Sequence, residues 1–196
     1  MKSEFPHPVG MWLRETIFPT VCHFCRRRCY PAETLFENVC RQCLVKLPFR
    51  YGNERLAALR VDSKLPAAIC AFHYKGLVQQ ALLRLKFGDS PEISTAFAAF
   101  LTDALLRQGK SGVEWSAVLA VPLHAERERE RGYNQAGLIA QGIARRLLLP
   151  DWSFCLGRNR STSRQSELKT MSERLRNVEN AFYICQPEPI RGRHLL

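Results

Sequence analysis

No stretch of this sequence approaches the ~20 consecutive apolar residues that a membrane-spanning helix needs. A secretory leader is not recognisable either, because Lys2, Glu4, Pro6 and Pro8 interrupt the start of the chain. Internal repeats and low-complexity tracts are also missing. Hydrophobic residues make up 46% of the chain, which excludes a disordered protein. The sequence therefore predicts a folded protein of the cytoplasm.

Acidic residues are scarce. The 196 residues hold 18 Asp and Glu against 29 Lys and Arg, for a formal net charge of +11. Such an excess favours polyanionic partners such as nucleic acid. The alternative is a solvated basic surface without a partner. Charge alone does not separate DNA from RNA or from an anionic lipid surface.

The chain has eight cysteines, and four of them form two Cys-x-x-C pairs, Cys22 with Cys25 and Cys40 with Cys43. Two such pairs supply the four thiolates of a tetrahedral structural zinc site, and the 14 residues between them form the hairpin that brings the pairs together. A redox centre is the alternative, but it needs a single pair. Cys29 is the alternative candidate for one of the four ligand positions.

The other four cysteines are expected to be isolated thiols, because the reducing cytoplasm disfavours disulfides; they are Cys29, Cys70, Cys155 and Cys185. A transcription factor that reads duplex DNA is disfavoured, because no helix with base-reading side chains follows the cysteine pairs.

The length allows one full-sized domain and a small module. We expect a zinc-ribbon module at residues 1–47, a linker at 48–66 and an α/β domain at 67–196. Within that domain, strands are predicted at 68–74, 117–122, 152–156 and 181–185. Helices are predicted between them, and a short one at 54–59 in the linker. Strands that alternate with helices favour an α/β fold with a mainly parallel sheet.

Helix ends carry local signals. Gly88 and Gly109 are expected to end the helices that begin near Leu77 and Pro91. Asn134 is a candidate N-cap of a helix that reaches Leu148, after a turn at Gly132. Thr170 and Glu173 have the spacing of a capping box.

Basic side chains fall into two candidate sets. Three consecutive arginines lie in the zinc module beside Phe24 and Tyr30, an arrangement that offers cations and aromatic faces to a single strand, unless the rings only shield the metal. The nucleic-acid candidates are Arg26, Arg27, Arg28, Arg41, Lys75 and Lys86. Candidates for binding phosphate or diphosphate are Arg131, Arg160, Arg164, Gln165, Arg174 and Arg176. Exposed arginines on a surface helix are the alternative for this second set.

The charges of residues 126–131 alternate, which predicts that they largely neutralise one another.

Short motifs then appear in a specific order over essentially the whole chain. After the Cys-x-x-C pair come Tyr74-Lys-Gly76, Leu85-Lys-Phe87, Val121-Pro-Leu-His124, Arg131-Gly-Tyr-Asn-Gln-Ala136, Arg164-Gln165, Glu173-Arg-Leu-Arg-Asn-Val178 and Ala181-Phe182. This order resembles the ComF family of competence-associated, phosphoribosyltransferase-like proteins.

The resemblance implies a zinc ribbon on a type I phosphoribosyltransferase-like α/β domain, a mainly parallel sheet with flanking helices. It also implies a role in handling single-stranded DNA during natural transformation, or in the use of DNA as a nutrient. The implied partners are single-stranded DNA, a DNA translocase of helicase type and the proteins that load the recombinase.

One element of the family pattern is missing from the sequence. In that pattern the segment resembling residues 190–196 runs into a strand with two adjacent acidic residues and a Thr/Gly loop, which bind phosphoribosyl diphosphate. No Asp-Asp or Glu-Asp pair occurs here. We therefore expect a C-terminally incomplete domain and a non-catalytic protein. A phosphoribosyltransferase that uses Mg²⁺ is the alternative.

Overall fold

The computed structural model describes residues 19–29, 34–50, 68–107, 114–163, 165 and 167–196. Its strands are β1 (Thr34–Phe36), β2 (Val39–Cys40), β3 (Leu156–Arg158) and β4 (Phe182–Ile184). Its α-helices are α1 (Arg41–Lys46), α2 (Gly76–Phe87), α3 (Ile93–Arg107), α4 (Ala125–Arg131), α5 (Gln135–Leu147) and α6 (Met171–Val178), and short 3₁₀ helices lie at Ser153–Cys155 and Glu188–Ile190. Within these ranges no helix has the length and apolar content needed to cross a membrane.

The N-terminal part is an antiparallel hairpin followed by a short helix. β1 pairs with β2 through a turn in which Glu37 and Asn38 both have positive φ, 44° and 56°. Two left-handed residues give the turn the twist that a tight hairpin requires. Helix α1 starts directly after β2, so Cys40 ends a strand and Cys43 lies in the first turn of a helix.

The helices begin and end largely where local chemistry predicts. The backbone N–H of Gly88 donates to the carbonyl of Arg84 at the end of α2, and Asn134 caps α5 through its side chain. Thr170 and Glu173 form a capping box at the start of α6. These predicted ends are confirmed. Gly109, Tyr30 and the predicted helix at 54–59 lie outside the described residues.

Two clusters of buried side chains hold the molecule together. The larger one combines the segments that carry the two Cys-x-x-C pairs, residues 22–29 and 34–47, with α2 and α3. These two segments are called the cysteine module. The cluster includes Phe24, Val39, Leu85 and Phe97. The smaller one joins residues 118 and 120 to the alanines of α5. Helix α5 also packs against α3, where an added Cβ on Gly142 would lie 2.5 Å from the Cβ of Ala98. The absence of a side chain at position 142 therefore sets the distance between these helices.

The predicted strands have different outcomes. The strand at 181–185 is confirmed as β4, but it pairs antiparallel with β3. The prediction for 152–156 is wrong at Ser153–Cys155, which is a 3₁₀ helix, because the side chain of Asp151 accepts a hydrogen bond from the backbone N–H of Ser153 at 2.9 Å and turns the chain. The segment 68–74 forms only a single bridge, from Phe72 to Phe49.

Parallel pairing is present only as isolated bridges in the described part of the chain. Ala117 pairs in parallel with Leu195, and Val118 pairs in parallel with Asp151. The backbone N–H of Trp152 donates to the carbonyl of Val118, and that of Leu196 donates to Ala117. The chain is thus a mixed helix and strand protein with small antiparallel sheets, and the expected mainly parallel sheet is reduced to this one parallel contact region.

Candidate metal centre and basic cleft

The four cysteines of the two Cys-x-x-C pairs come together at one point. The Sγ atoms of Cys22, Cys25, Cys40 and Cys43 all lie within 4.8 Å of one another, and Cys25 and Cys40 are 3.9 Å apart. A tetrahedral tetrathiolate centre with metal–sulfur bonds of about 2.3 Å needs sulfur–sulfur distances of about 3.8 Å. The geometry and the donor set therefore fit a metal ion with four thiolate ligands.

Backbone geometry shapes the first cysteine turn. Arg26, which follows Cys25, has φ 61°, and its N–H donates to the carbonyl of Cys22 at 2.9 Å. The N–H of Cys40 donates to the Sγ of Cys22 at 3.4 Å. Such N–H donors stabilise a thiolate, whether or not it binds a metal ion.

These donors change the acidity of the thiols. Burial acts to raise the pKa of Cys22, but hydrogen bonds from the backbone N–H groups of Cys40, Cys25 and Phe24 outweigh it and lower the pKa to about 7. Burial, followed by hydrogen bonds to the neighbouring thiols, raises the pKa of Cys43. Metal binding by this quartet must therefore release protons.

Cys29 lies near the quartet but is not a member of it. Its thiol is buried and donates to the carbonyl of Arg27 at 3.3 Å. Burial raises its pKa. The ligand set that the described residues assemble is the one with the two Cys-x-x-C pairs.

The cysteine module is packed against the helices. Phe24, between two of the cysteines, is 1% exposed, and its ring meets those of Phe97 and Phe100 on α3 edge to face, at centroid distances of 5.8 and 6.3 Å. Phe24 is thus a core residue and not a free surface for stacking bases. The reading in which it shields the metal is the one consistent with this burial.

Two arginines of the helices also bind the module. Arg84 of α2 donates to the carbonyls of His23 and Phe24, at 2.6 and 3.0 Å. Arg146 of α5 forms an ion pair with Glu37 in the β1–β2 turn. Nothing in the sequence pattern indicated either contact, because both join residues far apart in the chain.

The nucleic-acid candidates of the module are at its surface. Arg26, Arg27, Arg28 and Arg41 are exposed, and Arg27 donates to the side chain of Gln42 at 2.9 Å. Lys75 precedes the first residue of α2, about 16 Å along the helix from Lys86. The six candidates therefore do not form one continuous site.

A cleft of about 810 Å³ gathers basic side chains from distant parts of the chain. Five cations line it against two carboxylates, Asp89 and Glu130; the cations are Lys86, Arg127, Arg129, Arg131 and Arg158. Burial first, and then the positive charge of Arg127, lower the pKa of Arg158. Like charges that crowd in this way are relieved by an anion.

The turn between α4 and α5 positions one wall of the cleft. Gly132 ends α4 in the left-handed region, with φ 79°, which permits the sharp reversal. Tyr133 then donates to the carbonyl of Leu85 at 2.8 Å, and Asn134 donates to the carbonyl of Val121 at 3.1 Å. These bonds attach the turn to the end of α2 and to the segment 117–121.

The predicted phosphate-binding residues are spread around the cleft and a neighbouring depression. Arg131 and Gln165 line the cleft, whereas Arg160 and Arg176 line the depression beside it. Arg164 lies outside the described residues.

Several of these side chains also hold the local fold. Arg160 donates to the carbonyls of Arg176, Asn177 and Glu179 at the end of α6, at 2.9 to 3.3 Å. Gln165 donates to the carbonyl of Arg174, and Arg174 donates to that of Leu168, both at 3.2 Å. Arg160, Gln165 and Leu168 are therefore attached to α6 by the same guanidinium and amide groups that were predicted to bind phosphate.

The sequence pattern missed three arginines of the cleft. Arg127 and Arg129 belong to the segment of alternating charge that predicted mutual neutralisation, yet both line the cleft with Arg131. Arg158 ends β3 and carried no motif. A signal was present in α4, which begins with glutamates and ends with Arg129 and Arg131, but it indicates helix stability as well as binding.

Comparison with known proteins gives relatives along nearly the whole chain. The DNA utilization protein YhgH of Escherichia coli O157:H7 is 29% identical over 198 aligned residues, which cover 98% of this chain and 79% of that protein. Competence protein F of Haemophilus influenzae is 28% identical over 149 residues, covering 74% and 64% of the two chains.

A shorter match agrees with these two. The DNA utilization protein YhgH of Salmonella typhimurium is 32% identical over 115 residues, 58% of this chain and 49% of that protein. No family model matches the chain, and no solved structure matches it. Similarity over 98% of the chain to DNA utilization protein YhgH and over 74% of it to Competence protein F, together with the ordered motifs, supports the assignment of the chain to the ComF family.

Proposed function

We propose that this protein handles single-stranded DNA in DNA uptake or DNA utilisation, and that the basic cleft is its contact with the strand. The observation that carries the proposal is the convergence of five cations in one cleft, where the fold crowds like charges that phosphates would neutralise. The names of the relatives, DNA utilization protein and competence protein F, support the biological setting. The role is that of binding, without a catalytic step.

Zinc is the metal we propose for the cysteine quartet. Four thiols whose sulfur atoms lie within 4.8 Å of one another match the preference of zinc for sulfur, and with Cys22, Cys25, Cys40 and Cys43 all coordinated no position is left for a reactive water. The ion would be structural. It would connect the β1–β2 hairpin and α1 to the turn that carries Arg26, Arg27 and Arg28, which form a second exposed basic surface for the strand.

The proposed body is an α/β domain of the phosphoribosyltransferase type. In its support, the segment at 117–119 has parallel partners on both sides, at Asp151 and at Leu195, as a central strand of a parallel sheet would. The proposed limits of the module, linker and domain remain 1–47, 48–66 and 67–196. The resemblance to the ComF family supports the cytoplasm as location, and a helicase-type translocase and recombinase-loading proteins as partners.

Binding to a fluorescent single strand, measured by anisotropy at several salt concentrations, tests the proposal. If all five cleft cations contact phosphates, log K should fall with log salt at a slope of about −3.5, which is about 100-fold in affinity between 50 and 200 mM salt. A pair of substitutions, Lys86→Ala and Arg129→Ala, should reduce the slope by about 1.4.

Arg107 provides the matched control. It is an exposed arginine at the C-terminal end of α3, about 21 Å along the helix from Ile93, and it does not line the cleft. Arg107→Ala should leave the slope unchanged. A cleft variant that behaves like this control, with retention of wild-type affinity and salt slope, would show that the strand does not use the cleft. Replacing Arg26, Arg27 and Arg28 in parallel measures the share of the module.

A further inference from the structure

The last residue of α2 places an aromatic ring in the wall of the basic cleft. Phe87 is 58% exposed, although it is one of the most hydrophobic side chains of the protein. Single exposed hydrophobic residues are common, so exposure alone has no functional meaning. Among the described residues that line the cleft, Phe87 is the one aromatic side chain, and five cations line the same cleft. This position calls for an explanation.

The surroundings of the ring are ordered. The guanidinium of Arg131 lies over one ring face, with its Cζ 5.3 Å from the centroid, and the side chain of Gln135 accepts a hydrogen bond from the same guanidinium. The turn that carries Arg131 is attached to α2 through the bond from Tyr133 to Leu85. Phe87 and Arg131 are therefore held as a pair before any ligand binds, which reduces the entropy lost on binding.

This pair has the chemistry that recognises an unpaired base. Cations bind the phosphates of single and double strands alike, whereas a flat apolar ring binds only a base whose face is uncovered. In a duplex the base faces are stacked on one another. A cleft of about 810 Å³ is within the range of small-molecule pockets, roughly 300–1,000 Å³, and suits a nucleotide unit better than a double helix.

We propose that Phe87, stacked with Arg131, is the platform on which this protein binds one base of a single strand, so that the cleft selects single-stranded over double-stranded DNA. The proposal rests on the function proposed above and deepens it. Lys86 and Arg129 contact the flanking phosphates, while the ring supplies the part of the affinity that does not depend on salt. The competing explanation is that Phe87 only supports Arg131.

Two probes of equal charge separate these explanations. One is a thymidine oligonucleotide of about 15 residues, and the other is an abasic strand of the same length with intact phosphates. The wild-type protein should bind the thymidine strand more tightly. Phe87→Ala should weaken that binding by about 5- to 100-fold, since one stacked base contributes about 1–3 kcal/mol. It should leave both the affinity for the abasic strand and the salt slope unchanged.

Three further variants complete the experiment. Phe87→Trp should keep or increase the preference for bases, and Phe87→Leu should lose it while keeping an apolar side chain at the position. Phe154, 53% exposed and outside the lining of the cleft, is the control, and Phe154→Ala should bind both probes as the wild type does. Circular dichroism at 222 nm verifies that each variant is folded, and Phe87→Leu replaces Phe87→Ala if the latter unfolds.

The outcomes are distinct. Equal losses on the two probes in Phe87→Ala would show that the ring only supports Arg131, and no loss on either would show that bases do not reach it; each result overturns the stacking proposal while the wild type still binds with a salt slope. A wild-type protein that binds neither strand overturns the proposed function itself.

Discussion

Replacing Phe24 by alanine should destabilise the helices as well as the cysteine module. The ring lies between Cys22 and Cys25 in the sequence, yet it is 1% exposed and packs against Phe97 and Phe100 of α3. It therefore belongs to the metal turn and to the main core at once. A substitution that empties this position removes contacts on both sides, and the two parts should lose stability together.

The size of the effect follows from the burial. Removing a buried phenylalanine side chain costs about 3–5 kcal/mol, because transfer free energy is lost and a cavity remains. The two edge-to-face ring pairs favour the upper half of that range. For a chain of this length 1 kcal/mol shifts the melting temperature by about 2–4 °C, so a loss of about 4 kcal/mol corresponds to roughly 8–16 °C.

The assay compares two signals in the same samples. Thermal unfolding at 222 nm reports the helices, and transfer of metal to a chromogenic chelator reports the cysteine quartet. Phe24→Ala should lower the melting temperature and accelerate metal release, while Phe24→Leu should have a smaller effect on both. Val45 of α1 is 81% exposed and serves as the control. Val45→Ala should change the free energy of unfolding by no more than about 0.5 kcal/mol and leave the rate of metal release unchanged.

One result would refute this reasoning. If Phe24→Ala accelerates metal release but leaves the helical transition at the wild-type temperature, the module and the helices are energetically independent. The shared core would then be a contact without a coupling energy.

Three further predictions concern single positions. Gly142→Ala should destabilise by about 1–3 kcal/mol in urea, because its new Cβ would lie 2.5 Å from an alanine side chain of α3, whereas Gly137→Ala, with 3.5 Å to its nearest neighbour, should be neutral or stabilising; equal effects would contradict the steric argument. Arg84→Met should cost about 1.5 kcal/mol and speed metal release to a chelator, since two carbonyls of the cysteine turn lose a charged donor; unchanged release would exclude this role. Hydrogen bonds, first from the backbone N–H of Thr170, hold the pKa of the Glu173 carboxyl below its ordinary value, so its stabilisation of α6 is present above that ordinary value and is lost as pH falls through the folded-state pKa. The protection factor of the Thr170 amide, which is the exchange rate of the free peptide divided by the observed rate at the same pH, should fall in acid, and Glu173→Gln should remove most of that pH dependence.

Features that depend on neighbours in the chain were predictable. Thr170 and Glu173 are three residues apart and satisfy each other's backbone groups wherever the helix is placed, and Asn134 caps α5 in the same way. The cysteine quartet also follows from spacing, since a Cys-x-x-C turn brings two sulfurs to one point.

The strand at 152–156 shows where such prediction fails. Its hydrophobic pattern suits a strand, but the carboxylate of Asp151 competes for the backbone of Ser153 and turns the chain into a 3₁₀ helix. Side chain to backbone competition of this kind is decided by small energies that a pattern of apolar residues does not contain.

By itself, the sequence determined the basic charge, the cysteine quartet, the helix caps and the resemblance to the ComF family, because each depends on composition or on residues close in the chain. Only the tertiary structure decided that Phe24 is a core residue, and that Lys86, Arg131, Arg158 and an exposed Phe87 share one cleft. These residues come from separate helices and strands, and their meeting depends on how α2, α4 and β3 pack, for which no local spacing is a signal.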